Sequence, residues 1–143
     1  MTRLSCQAPE HALNTVPTQG RPPHDVLTDF ITVLLDQARA PDSLAFLRLA
    51  IFESQRFPDV AQAVFDASLQ TLAPLREYLH ELQRHGQLEA CDPEDAALDL
   101  INLCTGGYRF LLLGSKTEPR ESTQERLLNF FLRGVGLEGK REM

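Results

Sequence analysis

"LREYLHELQRHGQLEACDPEDAALDLINLCTGGYRFLLLG", residues 75–114, contains two helices and the joint between them. Leu75, Leu79 and Leu82 recur at helical spacing, and Gly86 stands where a helix takes its C-terminal glycine. After a short link, Asp92-Pro93-Glu94-Asp95 supplies a capping carboxylate, a proline at the first helical position and two acids facing the helix dipole. The helix begun there extends to about Leu113, with Gly114 closing it. Nothing in the stretch alternates with period two.

The same grammar holds on either side. Val26, Leu27, Phe30, Ile31, Leu34 and Ala38 follow Pro23 at i, i+3/i+4 spacing. Pro41-Asp42 ends that helix and opens another, which reaches about Arg56, and Pro58 opens a third. From Pro58 to Arg84 the stripe Phe65, Leu69, Leu72, Leu75, Leu79, Leu82 runs through Pro74. Proline removes one hydrogen bond and clashes with the carbonyl four residues back, so a break is expected near residues 70–74. Ser122 with Glu125 forms a capping box for the last helix, which Gly134 or Gly136 ends. The expected fold is all-α, a bundle of five to six helices. Residues 1–22 read as a disordered lead-in, 23–136 as one domain and 137–143 as a flexible tail.

The totals exclude several function classes. The chain has 143 residues, enough for one domain with its own core. Net charge is −6 and the only lysines are Lys116 and Lys140, which argues against a nucleic-acid surface. Cys6, Cys91 and Cys104 form no CxxC pair and read as reduced thiols. No apolar run is long enough to span a membrane and no signal-peptide core is visible, so a cytoplasmic location is expected.

The two closing helices carry more apolar perimeter than one neighbour can cover. On 93–113, Ala97, Leu100, Ile101, Leu103, Cys104, Gly107, Tyr108, Phe110, Leu111 and Leu112 fill an arc of roughly 200°, against little over 100° for an ordinary core-facing helix. On 122–135, Leu127, Leu128, Phe130, Phe131, Leu132 and Val135 do the same. A second copy of the same pair would cover the surplus in a two-fold four-helix interface. Leu100, Leu103, Gly107, Phe110, Leu111, Leu127, Phe130 and Phe131 are the interface candidates. The alternative is a monomer in which both helices are central. Gly106-Gly107 reads either as a close helix approach beside a cavity or as a harmless kink.

Other candidates concern a ligand. Glu53 sits among Phe46, Leu49, Ala50 and Phe52. A buried carboxylate there needs a partner, either Arg76, Arg109 or a ligand cation. Phe46, Leu49, Phe65, Leu69, Tyr78 and Asn102 combine apolar bulk with polar handles, as ligand walls do, although each also suits plain core. Glu77 and His80 spell one Glu-x-x-His, where di-iron bundles need two, and point away from the leucine stripe toward solvent. No nucleophile–base motif or phosphate loop appears, so an enzyme is disfavoured and no cofactor is expected.

The order of these features resembles the C-terminal domain of TetR/AcrR-family transcriptional regulators. It is carried by "LRLAIFESQRFPDVAQAVFDAS" at 47–68, by residues 75–114 and by the capped last helix, covering about 24–136. The resemblance implies a homodimer built from the last two long helices, with a cavity for a small apolar or amphipathic effector inside the preceding ones. Such regulators also carry an N-terminal three-helix DNA-binding module of about 45 residues. Only about 22 precede the first helix here, without periodicity, so that module is expected to be absent from this chain: lost, encoded elsewhere or excluded by a misplaced start. DNA would then be reached only through a helix-turn-helix not present here. The alternatives are a stand-alone dimeric small-molecule-binding protein or a dominant-negative partner of a full-length regulator.

Overall fold

The computed structural model describes residues 13–88, 91–104 and 121–137. Six helices and no strand occur among them: α1 (Pro23–Arg39), α2 (Pro41–Glu53), α3 (Pro58–Thr71), α4 (Ala73–Arg84), α5 (Pro93–Cys104) and α6 (Glu121–Gly134). Prolines punctuate this architecture. Pro23, Pro41, Pro58 and Pro93 each stand first in a helix, where the missing N–H has no intrahelical partner to lose. Pro74 is the second residue of α4, and the long stretch breaks beside it at Leu72. Gly86 and Gly136 adopt φ of 72° and 78°, the left-handed conformation that favours glycine. Each closes its helix with a six-to-one hydrogen bond, Gln87 N–H to the Leu82 carbonyl at 2.8 Å and Leu137 N–H to the Leu132 carbonyl at 2.9 Å.

Helix α1 is the axis of the core. Val26, Leu27, Phe30 and Ile31 are fully buried, and α5 and α6 both pack on α1. Leu75, Tyr78, Leu79 and Leu82 of α4 join them, with the Tyr78 ring 6.0 Å from that of Phe30. From α5 come Ala96, Ala97, Leu100 and Cys104, and from α6 Leu127, Leu128, Phe131, Leu132 and Val135. Gln124 ties α6 to α1 through its amide, which donates to the Thr28 carbonyl and the Thr32 hydroxyl.

Two segments read as unstructured from sequence contribute to this core. Leu13 is buried and Val16 packs against it, while Arg21 pairs with Asp29 at 2.8 Å and donates to the Pro17 carbonyl. At the other end Leu137 is buried by the turn that Gly136 permits. Isolated leucines and valines lack the periodicity that marks a helix, so sequence patterning does not register them.

Helices α2 and α3 behave differently. Neither has a single buried residue. They pack on each other, and among the described residues their main contacts with the rest are with α1 and α4. Phe46, Leu49, Ile51, Phe52, Phe57, Val60 and Phe65 are all exposed, Phe52 to 78%.

Phe30→Ala removes a ring buried on every side and is expected to cost about 3–5 kcal/mol. Phe52→Ala is expected to stay within about 0.5 kcal/mol. Urea unfolding midpoints of the two variants test the division between core and hairpin; equal losses would contradict it.

Candidate functional site

The joint between α4 and α5 is built from charge. Asp92 caps α5, its carboxylate accepting from the Glu94 N–H at 3.1 Å. Glu94, in the first turn of α5, reaches back to α4. It accepts from an Arg76 guanidinium N–H at 2.9 Å and lies 3.0 Å from His80 Nε2. The hydrogen bond with His80, and then the hydrogen bond and charge of Arg76, hold the Glu94 carboxyl below its usual range. The Gln83 amide donates to the Cys91 carbonyl at 3.3 Å across the same joint. Two sequence expectations are corrected here. Arg76 serves Glu94 and not Glu53, whose partner is Arg56 at 3.5 Å, one helical turn on. His80 is not simply solvated: it is half of the clasp on Glu94. Arg109, the other proposed partner of Glu53, lies outside the described residues.

The ligand-wall candidates separate into three places. Phe46, Leu49 and Glu53 lie on α2 and Phe65 and Leu69 on α3, so five of the seven share the α2–α3 hairpin. The three apolar residues Phe46, Leu49 and Phe65 are exposed there. Tyr78 is buried against Phe30, and its hydroxyl pKa is raised by that burial. Asn102 lies apart, on the exposed side of α5.

A cleft of about 670 Å³ runs between α5 and α6. Asp92, Asp95, Asp99, Asn102 and Leu103 line one wall, and Phe130, Phe131, Gly134 and Val135 the other, with Cys91 at one end. Sequence reasoning did not single out the acids. Their i, i+4 spacing was the available signal, but a run of acids at a helix start reads first as dipole compensation. Burial and then the carboxylates of Asp92, Asp99 and Asp95 push the Cys91 thiol up, and burial alone pushes the Cys104 thiol up to about 12. Neither is poised as a nucleophile. Among the described residues no cluster of three or more His, Cys, Asp or Glu could hold a metal ion. No described helix is long and apolar enough to cross a membrane.

The interface candidates divide as well. Leu100, Leu127 and Phe131 are buried in the core of their own chain, and Leu103 is partly buried against it. Phe130 is 66% exposed. The apolar arc of α6 is therefore covered by its own molecule over Leu127, Leu128, Phe131, Leu132 and Val135, and the surplus left on α6 is Phe130. Gly107, Phe110 and Leu111, with Gly106, lie outside the described residues, as does the side chain of Ser122.

A family model described as the C-terminal domain of AefR-like transcriptional repressors matches residues 25–133, which spans α1 to the last turn of α6. The chain belongs to this family of TetR-type C-terminal domains. No curated protein and no solved structure matches it.

The Glu94 clasp has a signed pH dependence. A carboxyl whose pKa is depressed on folding stabilises the fold above its unfolded pKa, and the contribution is lost as pH falls through the folded value. Glu94→Gln is expected to lower the melting temperature at neutral pH and to lose less of it on acidification than wild type. Parallel curves of melting temperature against pH would show that the clasp contributes nothing.

Proposed function

We propose that this chain is the effector-binding and dimerisation domain of a TetR-type regulator, working as a binding module and not as an enzyme. A small apolar or amphipathic molecule is sensed by the α2–α3 hairpin, and a homodimer forms through α5 and α6. DNA recognition is the work of a helix-turn-helix outside these 143 residues.

The observation that carries this reading is the imbalance of the hairpin. Twenty-seven residues in two helices bury none of their side chains, while four phenylalanines among them and in their link remain exposed. Monomeric proteins rarely leave a contiguous apolar patch above a few hundred Å², and such patches mark binding surfaces. The hairpin hangs on the base formed by α1, α4, α5 and α6, which share the buried core. Its hinges are the single-residue breaks at Ala40, just before Pro41, and at Leu72, two residues before Pro74. A ligand that prefers the hairpin closed on that base shifts the population toward one arrangement, and the base includes the helix pair proposed to join the two subunits. An output through heterodimers with a full-length relative uses the same surfaces.

A thermal-shift screen of small apolar compounds tests the first part. Hits are expected to raise the melting temperature of wild type, and Phe46→Ser with Phe65→Ser is expected to weaken their binding by about tenfold, or 1.4 kcal/mol. Undiminished shifts in that variant would remove the hairpin from ligand binding. For the second part, Phe130→Asp leaves the core intact and is expected to yield a helical monomer in size-exclusion chromatography. A wild type that is itself monomeric at micromolar concentration refutes the dimer.

A further inference from the structure

We propose that the acidic cleft between α5 and α6 receives the basic face of α6 from a second copy of the chain, so that charge pairing sets the register of the dimer. The inference rests on the dimer reading above and adds to it which side chains meet.

The two faces have the same spacing and opposite charge. Asp95, Asp99 and Asn102 follow one another at i, i+4 and i+7 on α5, within about 60° of arc at 100° per residue, and all three line the cleft. Arg126, Phe130 and Arg133 repeat that spacing on α6, again within about 60°. Glu125, the exposed acid beside them, points about 100° away from Arg126. Arg126, Phe130 and Arg133 are all exposed.

Each face lacks what the other carries. Among the described residues no Lys or Arg lines the cleft. Among the described residues Asp95, Asp99, Arg126 and Arg133 have no ion-pair partner. Three carboxylates along one cleft wall repel one another, and a cation between them relieves that repulsion. Gly134 lines the cleft, its φ is not positive, and a methyl group on it would meet no described atom within 4 Å. A larger side chain there would stand in the cleft without disturbing the described core. A two-fold axis makes every such contact twice, so two arginine faces neutralise two acidic walls. Phe130 belongs to both elements, lining its own cleft and lying between the arginines of the face offered to the other copy.

A small amphipathic cation is the competing occupant. Sedimentation of the full chain decides between them, with circular dichroism on every variant to verify its helical content. Asp99→Lys is expected to raise the dimer Kd by about tenfold, and so are Arg126→Glu and Arg133→Glu. Combining Asp99→Lys with one of the arginine reversals is expected to recover most of that loss. The wild-type Kd should rise with salt, because the pairs lie at the rim of the contact. Gly134→Gln, which leaves the described core untouched, should weaken the dimer independently of charge. A wild-type dimer whose charge variants are additive and insensitive to salt overturns the pairing and leaves the dimer standing. A wild-type monomer overturns both. A dimer indifferent to these reversals, stabilised by tetraphenylphosphonium in wild type but not in Asp99→Lys, assigns the cleft to a cation and also overturns the proposal.

Discussion

Burial of the inner face of α1 is the constraint from which the rest follows. Val26, Leu27, Phe30 and Ile31 have no exposure, and they meet apolar stripes from α4, α5 and α6. A stripe wide enough for three neighbours forces those helices to surround α1. The order of helices along the chain then leaves α2 and α3 outside, because they are inserted between the central helix and the first of its companions. The exposed hairpin is thus a consequence of topology. Its helices are rich in phenylalanine and leucine, yet the fully buried face of α1 is shared with α4, α5 and α6, and none of the hairpin's own residues is buried.

The polar groups make sense against that frame. The α4–α5 joint, apolar inside through Leu79, Leu82, Leu88 and Ala96, is spanned on its exposed side by Arg76, His80 and Glu94. All three are partly exposed, so their attraction is screened and their role is to orient α5 more than to stabilise the fold. Orientation matters because α5 presents the acidic wall of the cleft. A rotation of α5 about its axis would carry Asp95 and Asp99 out of the gap that faces α6.

Much of this architecture was legible in the residues. Proline at helix starts, glycine at Gly86 and Gly136, and the spacing of leucines gave the helices, their order and the break near Pro74. Asp92 was recognisable as a cap because Pro93 follows it. The site was less legible. Five of the seven ligand-wall candidates do share the hairpin, since they are neighbours in sequence, but Tyr78 belongs to the core and Asn102 to the cleft. Periodicity gives the direction of a side chain on its own helix and says nothing of which helix stands opposite. For the same reason the broad apolar arc of α6 could be counted, while the share covered by its own molecule could not.

The sequence by itself determined that the described segments are helical and near which residues α1 to α5 begin, while the end expected at Leu113 and Gly114 lies outside the described residues. These are local matters, set by backbone sterics, capping and a 3.6-residue period. Tertiary structure alone decided the rest: that α1 is central, that the hairpin is left uncovered, that Arg76 serves Glu94, and that three aspartates face a phenylalanine across a gap. Each of these depends on competition among apolar faces for a limited interior, and that competition is resolved only when all the helices are packed together.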